Sequence, residues 1–277
     1  MKPNTGVTHE LDGVEFLLAQ KEDLSFIRSY GRVFRVFDDH DSGNISFGLV
    51  DGDRKRFIKL AGTRTVESSV SAEIAINNLQ RAEQIYRDLD HPNIVHFIES
   101  FEHGPYYGLI FDWANGGLLR RIYTATFERF RALPFRERLA AFNTVIHVMQ
   151  HVHDSGYVAI DMYDASFLYD FEKQHLTICD IDVFEQKPVV NTMGRMWGSS
   201  RFMSPEEYRL GATIDEITNV YTLGAVSFLF FGDERERGIE DWDAGDHRFG
   251  VATRAVSDDR EGRYQSIDEF AAEWRQR

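Results

Sequence analysis

Apolar and polar positions alternate with a period of two through residues 31–60, and the alternation predicts three short strands. They are Arg32-Val-Phe-Arg-Val-Phe37, Ile45-Ser-Phe-Gly-Leu-Val50 and Arg56-Phe-Ile-Lys-Leu60. The first two are joined by Asp38-Asp-His-Asp-Ser-Gly-Asn44. The second and third are joined by Asp51-Gly-Asp53, where Asp-Gly signals a hairpin. The period then lengthens. Across 66–89 the apolar residues Ile74, Leu79, Ala82, Ile85 and Leu89 recur at helical spacing, up to Asp90-His-Pro-Asn93. Two further strands are expected at 95–101 and 106–111.

Beyond Asn115-Gly-Gly117 the pattern turns mostly helical. Long helices are expected at 118–132 and 136–153, then short strands around Val158, at 167–169 and at 176–178. Further helices are expected near 205–209, 217–231, 247–256 and 266–276. A strand-rich first third with one main helix, followed by a helical remainder, predicts an α+β fold of two lobes, residues 1–113 and 114–277. The chain carries no internal repeat, low-complexity tract or Pro/Gly-rich linker.

Composition narrows the partners. At 277 residues the chain can bury a sizeable core, and 43% hydrophobic with 27% charged residues is ordinary for a globular protein. Its 31 Lys and Arg against 45 Asp and Glu give a net charge of -14. That balance disfavours nucleic-acid partners, because the positive field that releases counterions is missing. Cys179 is the sole cysteine, so no intramolecular disulfide forms, as suits a reducing compartment. No apolar segment follows Met1-Lys-Pro-Asn-Thr-Gly6. The longest apolar run, Gly224-Ala-Val-Ser-Phe-Leu-Phe-Phe-Gly232, is too short for a bilayer. A cytoplasmic protein with no membrane partner is the expectation.

The densest signal lies at Trp197-Gly-Ser-Ser-Arg-Phe-Met-Ser-Pro-Glu-Glu-Tyr208 and Ile214-Asp-Glu-Ile-Thr-Asn-Val-Tyr-Thr-Leu-Gly-Ala225. It resembles the end of a protein-kinase activation segment, where G-T-x-x-Y-M-A-P-E precedes a helix reading D-V-Y-S-L-G. The resemblance extends over roughly residues 25–275. It implies a bilobal protein-kinase-like fold, with a small β-rich N-lobe and a larger helical C-lobe. The chain looks like a divergent, bacterial-type member of the eukaryotic-like Ser/Thr protein kinases.

The resemblance assigns roles residue by residue. Lys59 of Phe57-Ile-Lys59 corresponds to the strand lysine on the α- and β-phosphates; alone, it reads as a strand lysine facing water. Gly43-Asn-Ile-Ser-Phe-Gly-Leu-Val50 is similar to the family's phosphate loop G-x-G-x-F-G-x-V, which implies that Gly43, Phe47, Gly48 and Val50 lie at the cofactor. Ile45 replaces the middle glycine and blocks part of the backbone approach. Asp38, Asp39 and Asp41, just upstream, would repel a triphosphate and are expected to face solvent or a cation. No register of this run fits an EF-hand. The helix partner of Lys59 is Glu83, one residue off the family's spacing from His91 and so turned by about 100°, with Glu73 as fallback. Leu109-Ile-Phe-Asp-Trp-Ala-Asn-Gly-Gly-Leu118 resembles the hinge, with Phe111 as a bulky gatekeeper and the backbone of Asp112 and Ala114 on the adenine edge.

The catalytic loop departs most. His153-Asp-Ser-Gly-Tyr-Val-Ala-Ile-Asp-Met-Tyr-Asp-Ala-Ser-Phe-Leu-Tyr-Asp170 aligns with L-H-x-x-x-I-x-H-R-D-L-K-x-x-N-I-L-x-D. Asp161 falls on the aspartate that takes the acceptor hydroxyl's proton. Ala159 and Ile160 replace His and Arg, Tyr163 replaces the lysine, and Ser166 replaces the metal-binding asparagine, with Asp164 nearby to compensate. Loss of the arginine removes the usual clamp on a phosphorylated activation loop. Asp180, 19 residues after Asp161, matches the metal aspartate of D-F-G, and Asp182 replaces its glycine. Two carboxylates at i and i+2 suit Mg²⁺ or Mn²⁺, or else one of them caps a turn. Cys179 reads as an inert thiol lining the adenine pocket floor. Glu206 is expected to pair with Arg263, and Asn219 replaces the aspartate of the following helix. The implied function is transfer of phosphate from ATP, with Mg²⁺, to a protein substrate. The altered loop keeps open a pseudokinase that acts through a partner protein. A small-molecule kinase is disfavoured by the intact segment 198–206.

Overall fold

The computed structural model describes residues 6–39 and 42–276. Its contacts divide the chain into two units, one running to Asp90 and resuming over Val95–Ala114, the other holding His91–Ile94 and the chain from Asn115. Of the acidic run, Asp41 lies outside the described residues.

The first unit begins with a hairpin that the period-two pattern at 31–60 did not include. β1 (Val7–Leu11) pairs with β2 (Val14–Leu18) across Asp12-Gly13, both at positive φ (54° and 85°). Two left-handed residues give the turn twist that matches twisted strands, and Asp-Gly supplies them cheaply. Asp12 also accepts from Val33 N–H at 2.8 Å and Arg28 Nε at 2.8 Å, which ties the hairpin to the next strand. Ser25–Tyr30 forms a 3-10 turn. Then come β3 (Arg32–Phe37), β4 (Ile45–Asp51) and β5 (Arg54–Ala61), followed by helix α1 (Ala72–Asp88), β6 (Phe97–His103) and β7 (Tyr106–Asp112). The antiparallel sheet runs β3-β4-β5-β7-β6.

Alternation along β4 sends Ile45, Phe47 and Leu49 to one face, where they join Phe16, Leu18, Leu24, Ile27, Val33, Ile58, Leu60 and Ile110 in a buried cluster. Ser46, Gly48 and Val50 take the other face, with Phe57 and Lys59 of β5. Helix α1 starts six residues later than its periodicity predicts. Ser71 accepts from Ile74 N–H as N-cap, leaving 66–71 outside and Ile74 exposed; Ala75, Leu79, Ala82 and Ile85 form the buried stripe. Asp38 is half-buried and its Oδ2 accepts from Leu17 N–H at 2.7 Å, whereas Asp39 is exposed.

In the second unit the expected helix 118–132 divides. Gly117–Leu118 is instead strand β8, paired with β10 (Phe167–Asp170), and α2 spans only Thr124–Arg131. At Gly116 a Cβ would lie 2.5 Å from the Tyr169 carbonyl oxygen, so the chain crosses there as only glycine allows. α3 (Phe135–Asp154) leads into β9 (Tyr157–Val158), which pairs with β12 (Glu185–Gln186). β11 (His175–Ile178) completes the β11-β10-β8 sheet, and β13 (Val189–Val190) pairs with β14 (Thr213–Ile214). Asn93 docks on this unit, its carbonyl accepting from Ile178 N–H at 2.7 Å and its Nδ2 donating to the Leu176 carbonyl at 2.8 Å.

α4 (Glu216–Phe231) is buried at every residue from Thr218 to Phe231, as a helix apolar on all sides must be. α3, α5 (Asp246–Ala255) and α6 (Ile267–Trp274) pack around it. Among the described residues no helix is long and apolar enough to cross a membrane.

Candidate functional site

The candidate residues fall into two groups, one in each unit. In the second, Asp161 and Asp180 both adopt left-handed backbone, at φ 56° and 59°. Such residues cost on the order of 1 kcal/mol or more and persist only where their surroundings fix them. Here the fixing groups are visible. Asn219 of α4 accepts from Ala159 N–H at 2.9 Å and donates to the Ala159 carbonyl at 2.7 Å, holding both backbone groups two residues before Asp161. An aspartate cannot donate, so the asparagine makes one bond that the family's residue cannot. Ile160 packs with Val158, Val189, Met196, Met203 and Ile214, an apolar cluster where the resemblance implies a charged arginine.

Asp180 is held from the other side of the loop. Cys179 N–H donates to the Ser166 carbonyl at 2.9 Å, and Cys179 Sγ reaches the Ala165 carbonyl at 3.5 Å. Ser166 is buried and its Oγ accepts from Tyr163 N–H at 3.2 Å, closing a capping box around Asp164–Ser166. Burial, and then the charges of Asp180 and Asp161, push the Tyr163 hydroxyl well above the ordinary phenol value. Tyr163 thus stays a neutral phenol in the field of both carboxylates, at the position of the family's lysine. Asp180 is exposed and Asp182 half-buried. Among the described residues, no three His, Cys, Asp or Glu side chains converge as a metal cage. Mg²⁺ needs only one or two carboxylates besides water and phosphate oxygens, which is the donor chemistry that Asp180 and Asp182 offer.

Asp164, expected to compensate for the missing asparagine, has protein partners instead. It is buried, its Oδ1 accepting from Arg201 Nη2 at 3.0 Å and its Oδ2 from Arg121 N–H at 3.3 Å. Arg201, unremarked in the sequence, bridges Asp164 to buried Glu234 at 2.8 Å. The expected pair does form: both Arg263 Nη atoms donate to the Glu206 carboxylate, at 2.7 and 3.0 Å, with Arg260 and Thr218 adding donors. Burial pushes Glu206 up, but these donors hold it below the usual carboxylate value. Its neighbour Glu207 goes the other way. Burial outweighs the Ser204 donors, and with Glu206 and Asp161 nearby its carboxyl is pushed up to about 7.

In the first unit, Lys59 stands in a cross-strand row running Ser46, Lys59, Leu109, Ser100 over β4, β5, β7 and β6. Glu83 of α1 meets the end of that row. Its carboxylate accepts from Ser100 Oγ at 2.9 Å, from the Tyr107 hydroxyl, and from Arg87 at 2.6 and 2.9 Å. Burial opposes its charge, yet these donors hold Glu83 below the ordinary value. Glu73 stands exposed in the helix's first turn.

Of the remaining cofactor candidates, Phe47 departs from the expectation. Phe47 is wholly buried in the core, edge-on to Phe16, on the face opposite Lys59. Gly43 leans on the start of α1, where a Cβ would lie 3.3 Å from that of Ala75. At Gly48 a Cβ would come within 2.9 Å of both the Phe34 and Trp113 rings, so glycine makes room there for aromatic packing. Val50 pairs with Lys55, and Phe111 lies buried under Tyr86 and Phe97. Asp112 is exposed and its N–H donates to the His96 carbonyl at 3.0 Å; half-buried Ala114 ends the segment. Phe34, Phe37, Phe57, Phe111 and Trp113 form a linked set of rings, with centroids 5.0 to 6.4 Å apart along the chain of contacts.

Comparison with known proteins shows the family. The protein kinase domain model matches residues 48–235. Serine/threonine-protein kinase 36 of Pongo abelii is 29% identical over 167 residues, which cover 59% of this chain and 12% of that protein. The serine/threonine-protein kinase RUNKEL of Arabidopsis thaliana is 22% identical over 183 residues, covering 64% and 12%. The serine/threonine-protein kinase PrkC of Bacillus subtilis (strain 168) is 24% identical over 155 residues, covering 55% and 23%. The match therefore spans under a quarter of the length of each of these relatives.

Proposed function

The chain belongs to the protein kinase domain family, and from that premise we propose that it transfers the γ-phosphate of Mg-ATP to a Ser or Thr hydroxyl of a protein substrate. In this proposal residues 1–113 are the N-lobe and 114–277 the C-lobe of one kinase domain. Lys59 takes the nucleotide phosphates, with Glu83 held at the end of its row. Asp161 orients the acceptor hydroxyl and accepts its proton. Asp180, with Asp182 and Ser166, holds Mg²⁺ or Mn²⁺, whose charge offsets that of the phosphate oxygens when bound. Tyr163 supplies a hydroxyl donor in place of a lysine. Gly43, Gly48 and Val50 line the nucleotide strands, and the backbone at Asp112 and Ala114 takes the adenine edge.

The observation that carries this reading is the pair of left-handed aspartates, Asp161 and Asp180, on loops held by Asn219 and by the Ser166–Cys179 bond. Its test joins ATP titration by calorimetry, with and without Mg²⁺, to a transfer assay. Asp180→Ala should abolish metal-dependent binding, and Asp161→Asn should slow transfer by about 10²–10⁴-fold. Transfer at the wild-type rate in Asp161→Asn would overturn the role of Asp161.

A second reading, a pseudokinase that works as a binding module, has its own support. Phe57 stands two residues before Lys59 on the same face, and with Phe34 and Trp113 it packs the space over Gly48. Rings in that place compete with a purine. Metal-independent nucleotide binding, or none, would favour this reading.

A further inference from the structure

Lys187 stands just past β12, where the chain leaves the short ladder with β9. Its own N–H donates to the Gly156 carbonyl at 2.9 Å, and Gln186 Nε2 beside it donates to the Tyr157 hydroxyl at 3.0 Å. The side chain reaches the C-terminal end of α3. There Nζ donates to the His153 carbonyl at 2.8 Å and to His153 Nδ1 at 2.7 Å. Nε2 of the same ring lies 3.6 Å from Glu216 Oε2, in the first turn of α4. Glu216 is itself fixed, because its Oε1 accepts from the Ile267 N–H at 2.9 Å. None of these three side chains has a part in the proposed phosphate transfer.

A lysine bonded to a last-turn carbonyl is an ordinary helix cap. The second contact is different. Lysine offers only donors here, so His153 Nδ1 accepts, and the ring proton stands on Nε2, facing Glu216. An amine, a ring nitrogen able to take its proton and a carboxylate that orients the ring thus stand in sequence. That is the order in which nucleophiles are activated. Burial holds the Lys187 amine below the ordinary lysine value, although the charges of Glu216, Asp154 and Asp215 oppose it. Lys187 is only half-buried, and Gln186 and Pro188 on either side are exposed, which leaves the amine within reach of a small reagent.

We propose that Lys187 is a covalent modification site, a nucleophilic amine that takes the acyl group of a small acyl thioester, with His153 as its base. The Nζ lone pair attacks the thioester carbonyl carbon; an N–C bond forms and the C–S bond breaks. The surplus amine proton passes to His153 Nδ1, where Glu216 offsets the imidazolium charge, and from there to the departing thiolate. An uncharged thioester is the favoured donor, since Glu216 and Asp154 repel an acyl phosphate. The product amide keeps one N–H for His153 and loses the positive charge that faced these acids. The proposal goes beyond phosphate transfer and holds whether or not the chain performs it.

The test incubates the whole chain with S-acetyl-N-acetylcysteamine, an uncharged thioester, and follows each lysine by peptide mass spectrometry. Lys187 should acetylate at least about tenfold faster than exposed Lys21 and Lys173. His153→Asn keeps an acceptor near Nζ but cannot hold a proton. It should slow Lys187 by at least about tenfold and leave Lys21 and Lys173 unchanged. Glu216→Gln keeps the acceptor for Ile267 and removes the charge, and should slow Lys187 by about threefold. Circular dichroism and the unfolding midpoint check the fold of each variant; should His153→Asn not fold, Glu216→Gln decides. Asp161→Asn should acetylate as wild type does, which separates this chemistry from failure of phosphate transfer. Lys187 reacting no faster than Lys21 and Lys173, or as fast in the folded variants as in wild type, would overturn the proposal and leave Lys187 a helix cap.

Discussion

In the second unit Asp161 stands on a loop whose backbone is pinned by a buried amide from α4, whereas in the first Lys59 stands on a strand bordered by aromatic rings. The first arrangement is directional. Asn219 satisfies a donor and an acceptor of one residue, so the loop keeps its course although Ala159, Ile160 and Tyr163 have replaced the family's residues. The second arrangement is set by volume and is tolerant of chemistry, because rings of similar size pack in many ways. Polar pairs therefore preserve position while side chains change, and aromatic packing alters what a face can receive.

The hardest blow to the directional side is Arg263→Ala. It leaves the Glu206 carboxylate buried with half its donors gone, and should cost about 3–5 kcal/mol in denaturant unfolding. A cost below 1 kcal/mol would mean that Arg260 and Thr218 suffice. Next, Asn219→Ala orphans the Ala159 N–H and carbonyl, at about 1–3 kcal/mol for each group. Asn219→Asp restores only the acceptor and should recover about half of that loss; full recovery would show that the bond to the Ala159 carbonyl contributes nothing.

Glu207 gives a pH-dependent version of the comparison. Its folded value, about 7, lies above the ordinary 4.5, so its share of stability is complete below pH 4.5 and is lost as pH rises through 7. That share is about 3 kcal/mol, and Glu207→Gln should flatten the fall between pH 5 and 7 in unfolding measurements. Glu206, held low, has the opposite sign: its stabilisation is present above pH 4.5 and disappears as pH falls. The smallest effect belongs to the aromatic side. Phe57→Ala should change nucleotide affinity by only a few-fold if the rings sit beside a bound purine. A large rise in affinity would mean that they occupy its place.

Much of the fold was legible along the chain. β3, β4 and β5, α3, and α4 through α6 follow their periods to within a few residues, and Glu206 found Arg263 as the family resemblance implied. The misses share a cause. The β1–β2 hairpin carries Asp12-Gly13, the same turn signal that was read at Asp51-Gly52, but its flanking strands are short and alternate weakly. Residues 118–123 carry helix-compatible side chains, yet Leu118 is claimed by Leu168 across β10. Phe47 was placed at the cofactor by its motif, and the parity of β4 turned it into the core. Asp38 and Asp164, read as facing solvent, cation or metal, are held by Leu17 and by Arg201 and Arg121.

The sequence by itself determined the periods, the turns, the order of the motifs and the two carboxylates on which the proposed chemistry depends. These are local properties, carried by residues a few positions apart. Tertiary structure alone decided which groups those motifs meet: Ala159 finds Asn219 sixty positions away, and Glu206 finds Arg263 fifty-seven away. It also brought Lys187 to His153 and His153 to Glu216. Chain pattern specifies that a residue will be buried, or that it needs a partner. Which partner it gets depends on the closure of distant segments, where packing and hydrogen-bond direction must be satisfied together.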